Sequence, residues 1–151
     1  MKIAIGSDMK TGLTDFTYEW LCSQGYEVDK FGALVDPESL WAPTAIEVAE
    51  KVGHGDYEYG VLFCWTGTGI ALAANKVKGV RAALCHDAET ARGARKWNDA
   101  NILAVSLRAT STHIMKEMLE SWFVTSVSLE EDDQKSINYL KEYEKKFTRN
   151  N

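Results

Sequence analysis

Short apolar runs alternate with amphipathic stretches along most of the chain. Residues 2–6, 26–31, 60–64, 81–84 and 101–105 are brief runs bounded by turn-forming residues, and each reads as a strand. Between them, apolar positions recur at helical spacing. Leu13, Phe16, Trp20 and Leu21 stripe residues 13–24, and Gly25 then supplies a helix stop. Ala45, Ile46, Ala49 and Val52 mark a second helix after Pro43, and residues 69–76 form an alanine-rich third. Asp87 is placed to cap a helix over residues 88–96. Ile114, Met115, Met118, Leu119, Trp122 and Phe123 stripe a fifth helix. Strand–helix alternation predicts an α/β fold with a parallel sheet covered on both faces. Right-handed crossovers narrow it to a Rossmann-like, doubly wound, five-stranded sheet in a three-layer α/β/α stack.

The tail departs from this rhythm. An acidic run at residues 130–133 precedes Ile137, Leu140, Tyr143 and Phe147, which predict a C-terminal amphipathic helix. Such a helix is marginal alone and needs a surface for its stripe. The expected organisation is a Rossmann-like domain over residues 1–125. A helical extension over 126–151 would pack on its own or a partner subunit.

Composition sets limits. With 45% hydrophobic residues in 151, the chain can build one sizeable core. A net charge of −5, with basic residues spread out, argues against nucleic acid as a partner. No apolar run approaches the roughly 20 residues of a membrane span, and no signal-type segment opens the sequence. Three cysteines without paired spacing, Cys22, Cys64 and Cys85, suit a reducing compartment, so a cytoplasmic location is expected. His54, His86 and His113 are scattered and suggest no metal site. No cofactor motif is complete: Gly67-x-Gly69 is followed by Leu72 where a dinucleotide fingerprint needs glycine, and no Walker lysine follows.

Ligands in doubly wound folds sit at the carboxyl ends of strands. That rule selects the segments after Gly6, Cys64 and Leu84. Cys64-Trp65-Thr66-Gly67-Thr68-Gly69-Ile70 runs from a strand through a glycine-rich turn into a helix. Backbone N–H groups there converge and favour an anion or a developing oxyanion, although the same glycines also suit a plain tight turn. Cys64 is either a small buried hydrophobe or a thiolate base next to those donors. Asp8 is either a turn or cap residue or a ligand-facing carboxylate. His86 and Asp87 read as structural, and residues 97–101 as an Asn/Asp-rich loop before strand five.

These segments together resemble one family, the ribose 5-phosphate isomerase B and galactose 6-phosphate isomerase subunit family. The resemblance rests on residues 2–8 (KIAIGSD), 25–32 (GYEVDKFG), 64–69 (CWTGTG), 73–87 (AANKVKGVRAALCHD) and 98–103 (NDANIL), in order and spacing. It implies a Rossmann-like fold, no metal or other cofactor, and a homodimer or tetramer with active sites at the subunit interface. It also implies a sugar or sugar phosphate as substrate, with aldose–ketose isomerisation through an enediolate. Carried onto this sequence, it makes Cys64 the base between C1 and C2 and Thr66 the hydroxyl assisting the two oxygens. Gly67, Thr68, Gly69 and Ile70 supply N–H donors, Asp8 and Asn98 contact substrate, with Asn98 from the partner, and Arg108 reaches the phosphate. Some relatives use a glutamate at the position of Ile70, so only the cysteine version is available here.

Several family positions differ. Met9-Lys10-Thr11 replaces His-Ala-Gly, Trp65 stands at the first turn glycine, and Ala42 at a tyrosine before proline. Trp97 occupies the place of a histidine thought to open the sugar ring, and indole has no acid–base function near neutrality. The C-terminal arginine pair has no counterpart; residues 130–134 lie near its place. Three explanations follow: a tetrose 4-phosphate, which needs no ring opening; a different or unphosphorylated sugar, with Trp65 and Trp97 as stacking surfaces; or a non-catalytic sugar-binding protein or pseudoenzyme subunit. The retained Cys64 turn favours an active isomerase, and of the first two explanations the second is preferred.

Overall fold

The computed structural model describes residues 1–148. Five strands form one wholly parallel sheet: β1 (Lys2–Ser7), β2 (Glu27–Gly32), β3 (Tyr59–Cys64), β4 (Ala82–Leu84) and β5 (Ile102–Ser106). Their order is β2-β1-β3-β5-β4, with Ser7 opposite Phe63 and Cys64 opposite Ser106. Helices follow the strands: α1 (Gly12–Ser23), α2 (Trp41–His54), α3 (Thr68–Ala74), α4 (Ala88–Asn98), α5 (Thr112–Val124) and α6 (Glu131–Thr148). The doubly wound α/β/α architecture read from the sequence is the one present.

Alternation along the strands divides the core into two layers. Ile3, Ile5, Val61, Phe63, Leu103 and Val105 face Leu13 and Leu21 of α1, Ala94 of α4, and Met115, Met118 and Trp122 of α5. Ala4, Leu62, Cys64, Ile102 and Ala104 face Ala45, Val48 and Val52 of α2 and Ile70 and Ala74 of α3. Each large apolar side chain buried this way contributes about 1.5–3 kcal/mol. Small residues let helices approach closely. A Cβ on Gly6 would stand 3.1 Å from Thr44 and 3.2 Å from Val48 of α2.

Several boundaries differ from the sequence reading. Helix α2 begins at Trp41, ahead of Pro43, because proline is tolerated in a first turn, where the N–H has no helical partner. Asp8 caps nothing; Thr11 caps α1 in a reciprocal box with Thr14. Asp87 does cap α4, accepting from Thr90 N–H at 2.7 Å. Trp97 and Asn98 belong to α4, not to a loop. The helix continues until Asp99 turns left-handed (φ 48°), a conformation that Asp tolerates better than most residues. Asp99 also pairs with Arg95, one helical turn earlier, at 3.2 Å.

Helix α6 lies against its own chain. Ile137 is buried, Lys141 reaches Asp99 at 3.5 Å, and Glu144 accepts from Gly79 N–H at 3.0 Å. Asp99 thus gathers Arg81, Arg95 and Lys141. Leu140, Tyr143 and Phe147 stand largely exposed along a groove of about 700 Å³ beside β4. Residues 149–151 of the expected extension lie outside the described residues. On the outer edge of the sheet, the Asn75 carboxamide pairs with the Ala82 backbone, donating to its carbonyl and accepting from its N–H, both at 2.8 Å. Among the described residues, no helix is long and apolar enough to cross a membrane.

Candidate active site

Cys64 closes β3, and the chain turns through Trp65, Thr66 and Gly67 into α3. The turn is fastened to the end of β5. Leu107 N–H donates to the Cys64 carbonyl at 3.0 Å, and Arg108 N–H to the Trp65 carbonyl at 3.1 Å. The Ser106 hydroxyl donates to that Trp65 carbonyl at 3.0 Å. Gly67 takes φ 75°, and a Cβ there would stand 2.5 Å from Leu84 Cδ1 and 2.9 Å from Ser106 N and Val105 C. Only glycine fits. The first helical bond of α3 runs from Ala71 N–H to the Gly67 carbonyl, at 3.3 Å. The N–H groups of Thr68, Gly69 and Ile70 precede it and have no partner within the helix. The Thr66 and Thr68 hydroxyls share a hydrogen bond of 2.8 Å at the mouth of the turn.

The Cys64 side chain is on the α2/α3 layer with Leu62 and Ile70 and is 5% exposed. It therefore stands at the carboxyl edge of the sheet, almost closed from solvent. Asp8 directly follows Ser7, which is in register with Phe63, so Asp8 and Cys64 leave adjacent strands side by side. The Asp8 Oδ1 atom is buried with no hydrogen-bond partner. Burial raises the Asp8 pKa above the ordinary carboxylate value, and its own backbone N–H only partly opposes this. An orphaned acceptor here is a place for a ligand donor.

A residue that the sequence reading passed over also borders this turn. Trp41, the first residue of α2, presses its indole against Gly69. A Cβ on Gly69 would meet Trp41 Cε3, Cδ2 and Cζ3 at 3.1, 3.2 and 3.3 Å. The available signal was Pro43, which suits the first turn of a helix and so sets Trp41 at its start.

The chain thus brings together Asp8, Cys64, Trp65, Thr66, Gly67, Thr68, Gly69, Ile70 and Arg108 at one sheet edge. It does not bring Trp97 or Asn98 there. They end α4, which leads into the start of β5 at the opposite edge, a strand length of about 17–20 Å away. Trp97 rests on Gly93, where a Cβ would come within 2.8 Å of its ring, and Asn98 lines the groove beside α6. Trp65 and Trp97 are both about half exposed and lie too far apart in one chain to sandwich a sugar.

A family model described as Ribose/Galactose Isomerase matches residues 3–140. Ribose-5-P isomerase B of Listeria innocua is 35% identical over 147 residues, covering 90% of this chain and 99% of that protein. 4-Deoxy-4-sulfo-D-erythrose isomerase of Clostridium sp. is 36% identical over 147 residues, covering 94% and 92%. A solved structure of Clostridium thermocellum ribose-5-phosphate isomerase B superposes with a TM-score of 0.89 at 36% identity, covering 97% of this chain and 99% of that one.

Proposed function

The chain belongs to the ribose/galactose isomerase family, and from that premise we propose that it interconverts an aldose and a ketose through an enediolate, with Cys64 as base. Removing a proton beside a carbonyl requires a base at the carbon and stabilisation of the oxygen that becomes negative. The observation that carries this reading is the Cys64 turn. A cysteine ends a strand directly before three helix-starting N–H groups that lack helical partners. Cys64 takes the proton from one carbon and returns it to the neighbouring one. The N–H groups of Thr68, Gly69 and Ile70 hold the oxyanion, and Thr66 passes the hydroxyl proton between the two oxygens. Asp8, with its unpaired Oδ1, accepts from a sugar hydroxyl. Near-burial of the thiol keeps water from competing for the intermediate.

Two copies complete the site. Asn98 stands at the wrong edge to serve the Cys64 of its own chain, so it serves a partner's. Under this reading residues 1–125 form the isomerase domain and 126–151 an extension, in a cytoplasmic enzyme.

The substrate is a four-carbon sugar with an acidic group at C4, such as a phosphate or sulfonate. Such a sugar cannot close a furanose ring, because its C4 carries no free hydroxyl. It therefore needs no ring-opening acid, which agrees with Trp97 in the histidine's place. A similar protein named for 4-deoxy-4-sulfo-D-erythrose moves the balance toward this explanation and away from a neutral sugar. Arg108, exposed beside the turn, meets the acidic group.

The test is C2-proton exchange with solvent, followed by NMR, on erythrose 4-phosphate, 4-deoxy-4-sulfo-erythrose, ribose 5-phosphate and unphosphorylated pentoses. Exchange should be fastest on the four-carbon acids. Cys64→Ala should lower turnover by about 10²–10⁴-fold without changing the thermal melt. A Cys64→Ala variant with full activity removes the thiol from the mechanism, and ribose 5-phosphate as the best substrate overturns the four-carbon assignment.

A further inference from the structure

We propose that Trp41 is the specificity-determining wall of this site, narrowing the approach to Cys64 so that an open-chain carbonyl end enters and a closed sugar ring does not. The substrate part of this inference rests on the isomerase reading above; the access part does not.

Four observations converge. Helix α2 starts at the carboxyl edge of the sheet, on the same face as the Cys64 side chain. The Trp41 indole closes against Gly69, the second residue of α3, so tightly that a methyl group there would fit only if the ring gave way. Cys64 is nearly buried although it ends its strand next to an exposed turn. Trp41 itself remains 44% exposed, so the ring stands at the boundary between solvent and core and is not a core side chain. An aromatic plate between a turn and solvent limits the width of what passes beneath it. An extended aldehyde or hydroxymethyl end is much narrower than a furanose or pyranose.

Gly69 gives the wall its position. Adding a Cβ at Gly69 must displace the indole by a few tenths of an ångström, since the first atoms it meets belong to Trp41. Two substitutions on different elements therefore act on the same gate, one by removing the plate and one by pushing it.

The experiment is peptide-resolved alkylation of the intact protein by iodoacetamide, read by mass spectrometry. The three free thiols supply internal standards. Cys22 is exposed, and Cys85 is buried with its pKa pushed to about 12 by burial and, to a lesser degree, the nearby Asp87 carboxylate. In the wild type Cys64 should label far more slowly than Cys22. In Trp41→Ala its rate relative to Cys22 should rise about tenfold or more, and Trp41→Phe should stay near wild type. Gly69→Ala should move Cys64 the same way as Trp41→Ala. Labelling of Cys85 in Trp41→Ala would show unfolding, and Gly69→Ala then decides alone. An unchanged Cys64 rate in folded Trp41→Ala, or in Gly69→Ala when that variant decides, overturns the wall. In Trp41→Ala the ratio of kcat/KM for erythrose 4-phosphate to that for ribose 5-phosphate should fall about tenfold. An unchanged ratio overturns the selective role. Absence of isomerisation on every sugar defeats the isomerase reading instead, while alkylation still reports on the gate.

Discussion

Replacing Gly67 by alanine tests whether the Cys64 turn is held by sterics against β5. Two costs add. Placing an L-residue at φ 75° costs roughly 1–2 kcal/mol. The new Cβ also collides with three atoms. Leu84 Cδ1, at 2.5 Å, belongs to a partly exposed side chain and can swing away, but Ser106 N and Val105 C, at 2.9 Å, are backbone of a central strand. Forcing them apart adds about 1–3 kcal/mol. The total is about 2–5 kcal/mol, which in a domain of this size lowers Tm by roughly 5–20 °C. Urea unfolding followed by tryptophan fluorescence measures it, with a thermal melt by circular dichroism as the second probe. Gly25→Ala isolates the first cost, because Gly25 also has positive φ (84°) but nothing within 4 Å of its Cβ position; it should lose only about 1–2 kcal/mol. Gly67→Asn separates the terms further, since asparagine tolerates the left-handed region but still carries a Cβ. If Gly67→Ala loses no more than Gly25→Ala, the contact with β5 is not what demands glycine, and the steric account of the turn is wrong.

Two further predictions concern charge. Asp87, whose carboxyl is held below its ordinary pKa chiefly by the Thr90 backbone N–H, stabilises the fold above the unfolded carboxylate pKa and loses that effect as pH falls through its lower folded value. Asp87→Ala should thus be less stable than wild type at neutral pH, and the two urea midpoints should converge in strong acid; a gap that persists there contradicts the cap's charge as its cause. Asp99→Asn keeps the left-handed turn but removes the shared partner of Arg81, Arg95 and Lys141, and should cost about 2–3 kcal/mol by urea midpoint at unchanged slope. A loss under about 0.5 kcal/mol would mean the cluster contributes no more than ordinary surface charges.

The central strands and long helices were readable because both signals, short bounded runs and 3.6-residue stripes, come from burial, and β1, β3 and β5 are buried on both faces of the sheet. Residues whose state depends on a single backbone angle were not readable. Nothing in Trp97-Asn98-Asp99 distinguishes a loop from a helix end until Asp99 is seen to turn left-handed and pair with Arg95. The site was half legible. Cys64 and its glycines lie in one continuous stretch, Asp8 followed from a strand end together with family likeness, and Arg108 from family likeness alone. Trp41 lies 28 residues from Gly69 in sequence, and only the packing of α2 on α3 joins them. An isolated tryptophan beside an alanine and a proline carries no local pattern that separates a gatepost from an ordinary exposed aromatic.

The Asn75 carboxamide that pairs with Ala82 occupies the position a sixth strand would need. It supplies one donor and one acceptor to the outermost backbone, so at Ala82 this rim has already satisfied the groups through which sheets propagate from molecule to molecule. Any neighbour trying to extend the ladder must first evict a side chain from two good bonds, along a strand of only three residues. At this edge, growth by backbone templating is therefore opposed at its first rung, where an incoming strand would have to pair with Ala82.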